Sequence, residues 1–450
     1  MHQDRPVASF CPNFHRFPGA VRTLALSMAM VLSGTLGGCA GLPWGKAPTN
    51  LRGGYAAGDK VTAILPGKGP VADVADALRE GLRAAHGADD TAAKPTLTFI
   101  ASEQPNKIAE AHGEAVAAGA TQVIGPLLKP AVDALATGPA LKVPTLALNQ
   151  AAAAGKAVEN LYQFALAPET EAVDAANQAN AMGFTRALML APAGEAGQRR
   201  ADAFRRQWEK LGATLVGQAS FDPAATDAAK TLNALLKKGE ADFLFLAVDA
   251  DQARRLYPPI RDGANALPVI ATSAVYSGAA DAARDKALAG LYFVDLPWVL
   301  GVGQANDPVA RANLKGKSAA LATPLGLRLY AMGIDAYRLA PRLAGLAKDP
   351  AATFPGATGT LSLDALGRVQ RQLTLAQFTA TGPQPVTAKP AAKQRGWMPF
   401  ARPAAAAQPA AQPAAVVAPA KTPSPSAAEP KPKPKPEPKR PLPQPAVTGG

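Results

Sequence analysis

The chain has only two cysteines, Cys11 and Cys39, both within its first forty residues, which excludes a disulfide framework from the rest. Histidine is nearly as scarce, and of four only His86 and His112 lie beyond Cys39. So little imidazole and thiol leaves poor material for a metal site or a nucleophile and base pair, and it weighs against an enzyme. His86 stands near Asp89 and Asp90 with no second histidine close by, and reads as exposed polarity at a helix end. His112, between Glu110 and Glu114, reads as part of a solvated helix face. Phosphate loops are missing too. Leu314–Ala320 contains Gly-Lys-Ser, but Arg311 stands where the first glycine of a phosphate-binding loop is required. After Gly67-Lys68-Gly69 the third glycine of a dinucleotide fingerprint is absent, with Val71 and Ala72 in its place, so this stretch reads as a loop at a sheet's carboxyl edge. No catalytic constellation and no call for a cofactor or metal remain.

The charge is one-sided, a net +13 with an isoelectric point near 9.7. Its distribution decides what it means. Lys389–Gly450 carries ten basic residues against two acidic ones, and Met1–Gly38 adds three against one, which leaves only +3 for everything between. Basicity confined to the ends is not a folded nucleic-acid-binding face, so no nucleic-acid partner is expected.

What is present begins with a leader. Arg16 and Arg22 precede fourteen largely apolar residues, Thr23–Leu36, too short for a relaxed transmembrane helix and the right length for a signal-peptide core. Leu36-Gly37-Gly38-Cys39 follows and resembles the lipobox of bacterial lipoproteins. That resemblance implies cleavage after residue 38 and a covalent lipid on Cys39. Ala40 and Gly41, with no Asp after the cysteine, resemble lipoproteins sent on to the outer membrane. Residues 39–58 are rich in Gly, Pro and small polar residues and read as a flexible tether.

A body of 59–379 is expected next. Short runs rich in Val, Ile, Leu and Phe begin at Val61, Thr96, Thr121, Pro144 and Tyr162, and a second series begins at Ala187, Thr214, Phe243, Pro268 and Leu291. Between them lie stretches such as VADVADALREGLRAA, AVDALATGPALK, QRRADAFRRQWEKLG and DQARRLYPPIRDG, with apolar residues at three- and four-residue spacing. Apolar strands alternating with amphipathic helices predict α/β architecture with parallel sheets covered on both faces, and two series predict two lobes. PLGLRLYAMGIDAYRLAPRLAGL reads as a longer helix, mostly core by its spacing, and TGTLSLDALGRVQRQLTLAQF as a hairpin turning near Asp364–Gly367. From residue 380 to 450 the composition shifts to Pro, Ala and Lys, ending in EPKPKPKPEPKRPLPQP, which cannot bury enough apolar surface to fold and predicts a disordered, extended tail.

Seven ordered segments carry a family likeness. VIGPLLKPAVDAL, PTLALNQ, FALAPETEA, LPVIATSAVYSG, LYFVDLPWVL, RLYAMGIDAYRLA and GATGTLSLDALGRVQRQL resemble the LpoA (LppC-type) family of penicillin-binding-protein activators. The likeness runs from about Lys60 to Phe378. It implies a type I periplasmic-binding-protein fold, two doubly wound lobes joined by a three-stranded hinge, with a cleft where strand carboxyl ends meet. On that template lobe one takes 59–165 and 299–349, lobe two 166–298 and 350–379, and the hinge falls near Leu166–Pro168, Asp295–Trp298 and the segment before Gly356. It also implies an outer-membrane lipoprotein that stimulates a class A penicillin-binding protein in peptidoglycan synthesis and does no chemistry itself. Well-known members carry an amino-terminal helical-repeat domain, for which Cys39–Asp59 offers no room, so the basic tail becomes a candidate bridge, including to peptidoglycan.

Two other readings compete. A solute receptor of the same fold would clamp an amino acid with hydroxyls, backbone amides and an acid, yet the third strand ends in Pro126, Leu127 and Leu128. Residues placed to line a cleft are Lys68, Ser102, Asn149, Asp249, Thr272, Ser273, Tyr276 and Trp298, with Tyr276 and Trp298 as stacking aromatics. The other reading is a structural envelope linker held by the tail.

Overall fold

The computed structural model describes residues 49–50, 53–152, 155–223, 228–303, 306–314 and 319–387. The signal peptide, Cys39, the Gly-Lys-Ser at 316–318 and the tail from residue 388 lie outside the described residues.

A two-residue strand, β1 (Thr49–Asn50), comes first. Lobe one then lays down β2 (Lys60–Leu65), α1 (Ala72–Gly87), β3 (Thr96–Ala101), α2 (Ile108–Ala117), β4 (Gln122–Ile124), α3 (Lys129–Thr137), β5 (Thr145–Ala147) and β6 (Leu161–Gln163). Its five strands are parallel in the order β3-β2-β4-β5-β6. β2 is buried from Val61 through Leu65, as a parallel strand covered on both faces must be. α1 buries Ala75, Leu78, Leu82 and Ala85, one stripe of its surface.

Lobe two repeats the scheme with α4 (Pro168–Ala181), β7 (Arg186–Pro192), α5 (Glu195–Lys210), β8 (Thr214–Phe221), α6 (Ala228–Leu236), β9 (Phe243–Leu246), α7 (Ala250–Asp262), β10 (Val269–Ala271), the short α8 (Ala282–Asp285) and β11 (Tyr292–Asp295). Aromatic packing fills its core, with Phe204 stacked on Phe245 at 4.1 Å and Trp208 edge-on to Phe243 at 5.3 Å.

The chain then crosses back. α9 (Pro324–Leu339) packs along α1, where Gly81 and Gly333 let the two backbones meet: a Cβ on Gly333 would lie 3.0 Å from the Gly81 Cα. After α10 (Leu343–Lys348) come β12 (Ala352–Gly356), β13 (Gly359–Leu363), β14 (Val369–Gln372), β15 (Thr374–Thr379) and β16 (Gly382–Pro385). β15 and β16 join lobe two antiparallel, completing a seven-stranded sheet in the order β16-β15-β11-β10-β9-β7-β8. β12, β13 and β14 form a separate sheet with β1 between the lobes, in the order β1-β12-β13-β14.

All ten predicted strand runs are strands, and the hairpin turns between Leu363 and Val369 as expected. Five expectations change. Residues 350–372 belong to the hinge sheet and only the strands that follow join lobe two. The tether gives way before Gly58, because Thr49–Asn50 pair in parallel with β12 and the Tyr55 hydroxyl donates to the Tyr337 carbonyl at 2.7 Å. The folded body passes Thr379, since β16 pairs with β15 and the Val386 amide donates to the Leu375 carbonyl at 2.9 Å. The long carboxyl-side helix breaks at 340–342, where Pro341 cannot supply an amide and a 3-10 turn replaces α-helical hydrogen bonding. α3 likewise stops at Thr137, ahead of Gly138 and Pro139.

Candidate functional site

In doubly wound folds ligands meet the carboxyl ends of parallel strands, so those ends are where the eight cleft residues were placed. On lobe one they do local work. Lys68 is exposed in the loop after β2. The Ser102 amide donates to the Leu65 carbonyl at 3.2 Å, and the residue lines a 280 Å³ cavity with Glu103, Lys107, Glu110 and Glu114. Asn149 holds a turn, donating to the Leu127 carbonyl at 3.0 Å and accepting from the Gln150 amide at 2.9 Å. On lobe two Asp249 is the N-cap of α7, its carboxylate accepting from the Gln252 amide while the Gln252 side chain accepts from the Asp249 amide.

The remaining four come together. Thr272 and Ser273 follow β10, Tyr276 lies one turn on, and Trp298 follows β11. Their surroundings correct the expectation of stacking aromatics, because both rings are buried. Tyr276 packs 5.6 Å from Phe293, and Trp298 lies 5.2 Å from Tyr330 with Arg311 at 5.4 Å over its face. The Trp298 indole donates to the Val309 carbonyl at 2.6 Å.

Arg328 from α9 is the centre of this convergence. Its Nε donates to Asp295 Oδ1 at 3.0 Å and its Nη2 to Asp295 Oδ2 at 2.5 Å, a forked pair of charge-assisted bonds. The same Nη2 reaches the Ser273 and Tyr276 carbonyls at 3.0 and 3.2 Å. Ser273 in turn donates from its amide and hydroxyl to the Glu171 carboxylate of α4 at 2.8 to 3.1 Å. Arg328 comes from lobe one's helix, and the other four residues belong to lobe two. The side chain of Asp295 is fully buried and that of Arg328 is 9% exposed. Burial pushes the Asp295 carboxyl up to about 6 against the pull of Arg328.

Further buried carboxylates fasten the hinge sheet. Asp335, also on α9, accepts from the Ala357 and Thr358 amides at 2.6 and 2.7 Å and from the Thr358 hydroxyl at 2.6 Å. Asp174 accepts from the Leu373 amide at 3.1 Å, and burial pushes it up to about 7. Arg371 of β14 donates to the Thr170 hydroxyl at 2.9 Å, and burial lowers its pKa. The sequence marks Asp295 only as a bound of the hinge and does not point to Glu171, Arg328 or Asp335. One signal was available: Arg328 and Asp335 are charged residues seven apart on a largely apolar helix, and therefore share one of its faces.

Histidine is corrected as well. His112 is buried, 6% exposed, with Nε2 2.9 Å from the Thr145 hydroxyl, and burial lowers its pKa. Its face of α2 carries Ile108 and Ala115 into the core, so the ring faces β5 rather than water. His86 is half-buried against the Pro95 carbonyl and edge-on to Tyr337. Among the described residues no group of His, Cys, Asp and Glu is gathered to hold a metal, and no helix is long and apolar enough to cross a membrane.

Two doubly wound lobes with a separate hinge sheet, and a polar convergence at the carboxyl ends of lobe two, define a type I periplasmic-binding-protein body. Comparison with known proteins takes this further. The chain belongs to the LppC family, whose model, described as "LppC putative lipoprotein", matches residues 56–381. A penicillin-binding protein activator LpoA from Yersinia pseudotuberculosis is 28% identical over 400 residues, covering 71% of this chain and 60% of that protein. The chain spans about half the length of the curated relatives it matches. The LpoA C-domain from Haemophilus influenzae, described as a regulator of PBP1A, superposes with a TM-score of 0.62 at 23% identity, over 73% of this chain and all of that one. A structure from Chromobacterium violaceum, described as a "putative branched-chain amino acid ABC transporter", is 32% identical with a TM-score of 0.59, over 71% of this chain and 99% of that one.

Proposed function

We propose that the chain is an envelope lipoprotein whose folded body binds and activates a class A penicillin-binding protein, regulating peptidoglycan synthesis without chemistry of its own. The observation that carries this is the family match across 56–381, which spans both lobes and the hinge. On this reading Cys39 bears the lipid that holds the protein at the periplasmic face of the outer membrane, since dual or triple acylation suffices for stable anchoring. The basic tail is then available to reach peptidoglycan.

The test is a cross-linking assay with class A penicillin-binding proteins from the same cell, with and without the full chain. Raised cross-linking together with direct binding is the expected result. Neither binding nor stimulation sinks the reading.

A solute receptor is the second reading, favoured by the 32% identity to the Chromobacterium violaceum structure. Against it, the polar groups at lobe two's carboxyl edge are engaged by Arg328 and Glu171. Calorimetric titration with free amino acids separates the two, because a receptor of this fold releases or absorbs measurable heat on binding its solute.

A further inference from the structure

The interlobe convergence has the make-up of a binding site for a cation. A fully buried carboxylate and two backbone carbonyls, all acceptors, point at one position at the carboxyl ends of β10 and β11. Such a set left empty is costly, because an unpaired carboxylate and bare carbonyls without water are heavily penalised. The guanidinium there comes from the opposite lobe, carried on a helix fixed to lobe one along α1. Its planar fork matches the Asp295 carboxylate at two points, which a lysine ammonium cannot do.

We propose that Arg328 is the resident occupant of the interlobe site: its guanidinium fills the place that a guanidinium or ammonium solute would take, and clamps the lobes in one fixed relation with no ligand added. The protein then presents a rigid two-lobed surface rather than one that opens and closes on a solute. Neighbouring contacts act in the same direction. The Trp298 amide donates to the Ala357 carbonyl at 3.1 Å, and Arg311 reaches the Gly278 carbonyl at 3.4 Å. This inference stands whether or not the activator reading does, since it concerns what fills the cleft and not what docks outside it.

The experiment compares the full chain with Arg328→Ala, Arg328→Lys and the double variant Arg328→Ala/Asp295→Ala, each melted with and without millimolar ethylguanidinium. Ethylammonium serves as a second probe. Arg328→Ala is expected to melt roughly 10 °C lower, because it leaves Asp295 buried and uncompensated. Ethylguanidinium should restore several degrees to Arg328→Ala, more than ethylammonium does, and nothing to the wild type or to the double variant, which lacks the carboxylate. Absence of rescue by ethylguanidinium, or equal rescue of the double variant, overturns the proposal.

A second measurement does not depend on any destabilised variant. Spin labels at Glu114 and Arg255, exposed residues on the two lobes, are introduced with Cys11 and Cys39 replaced. A single narrow distance without ligand is expected, and a broad or two-peaked distribution in the otherwise unaltered chain overturns the clamp.

Discussion

At the scale of single residues, the hinge carboxylates make two predictions. Asp335, itself fully buried, satisfies three donors at once, so Asp335→Ala removes an acceptor from two backbone amides and a hydroxyl. A loss of roughly 3 kcal/mol in urea unfolding is expected, with a smaller loss for Asp335→Asn, which keeps one acceptor oxygen. The second concerns pH. Asp174 and Asp295 have folded pKa values raised to about 7 and about 6, above the ordinary value of 3.8, so the folded protein binds more protons than the unfolded chain between those limits. Their contribution to stability is complete below pH of about 4 and is lost as pH rises through 6 and 7. Asp307, held below the usual carboxylate range by Arg338, acts in the opposite sense and only at acid pH. His112, whose pKa burial lowers from 6.5, opposes this fall below about pH 6.5, so the melting temperature should fall from about pH 6.5 to pH 8, and Asp174→Asn should flatten that slope. A profile that rises across this window, or an unchanged slope in the variant, contradicts the assignment. The candidate site was only half legible beforehand. Ser273 and Tyr276 follow strand ends and so can be read as cleft residues, but their partner Arg328 on α9 is 55 and 52 positions away and no local pattern pairs them.

At the scale of elements, the sequence revealed what its physics makes redundant. A strand buried on both faces must be apolar throughout, so the runs beginning at Val61, Ala187 and Phe243 announced β2, β7 and β9 without ambiguity. β1 and β16 are not legible in composition, and β12 is anticipated only as the hinge segment before Gly356, for the converse reason. ATFPG and GPQP carry proline and glycine, which weigh against a strand, and they sit in the hinge sheet or at a sheet edge where a missing amide is tolerated. The glycines inside α1 and α9 are another signal, because glycine in a helix interior is destabilising unless a backbone comes close. Here one does: a Cβ on Gly81 would run into the Tyr330 carbonyl, and one on Gly333 into the Leu78 carbonyl. Gly333→Ala should thus cost roughly 2 kcal/mol despite the better helix propensity of alanine, seen as a lowered melting temperature. A neutral or stabilising outcome would mean that α1 and α9 are free to separate.

At the scale of the whole molecule, the question is where the independently folding body ends, because any assay of function depends on it. Composition placed the end at Thr379, ahead of the Pro, Ala and Lys of the tail. Pairing places it later. β16 covers the outer side of β15 through four residue pairs, and without it β15 becomes an exposed edge of the seven-stranded sheet. Phe378 would suffer as well, since it is buried 4.7 Å from Phe293 and 6.0 Å from Tyr276, next to the ring of residues that receives Arg328. A chain stopped after Thr387 should melt with the full-length protein, whereas one stopped after Thr379 should lose roughly 2 kcal/mol and expose a strand edge prone to association. Light scattering and thermal melting of the two truncations read both effects. Synthase stimulation can then be assigned: if the chain ending at Thr387 stimulates as fully as the intact protein, the bilobed body carries the activity and the basic tail serves another purpose. If stimulation disappears while the melt is unchanged, the tail itself touches the synthase.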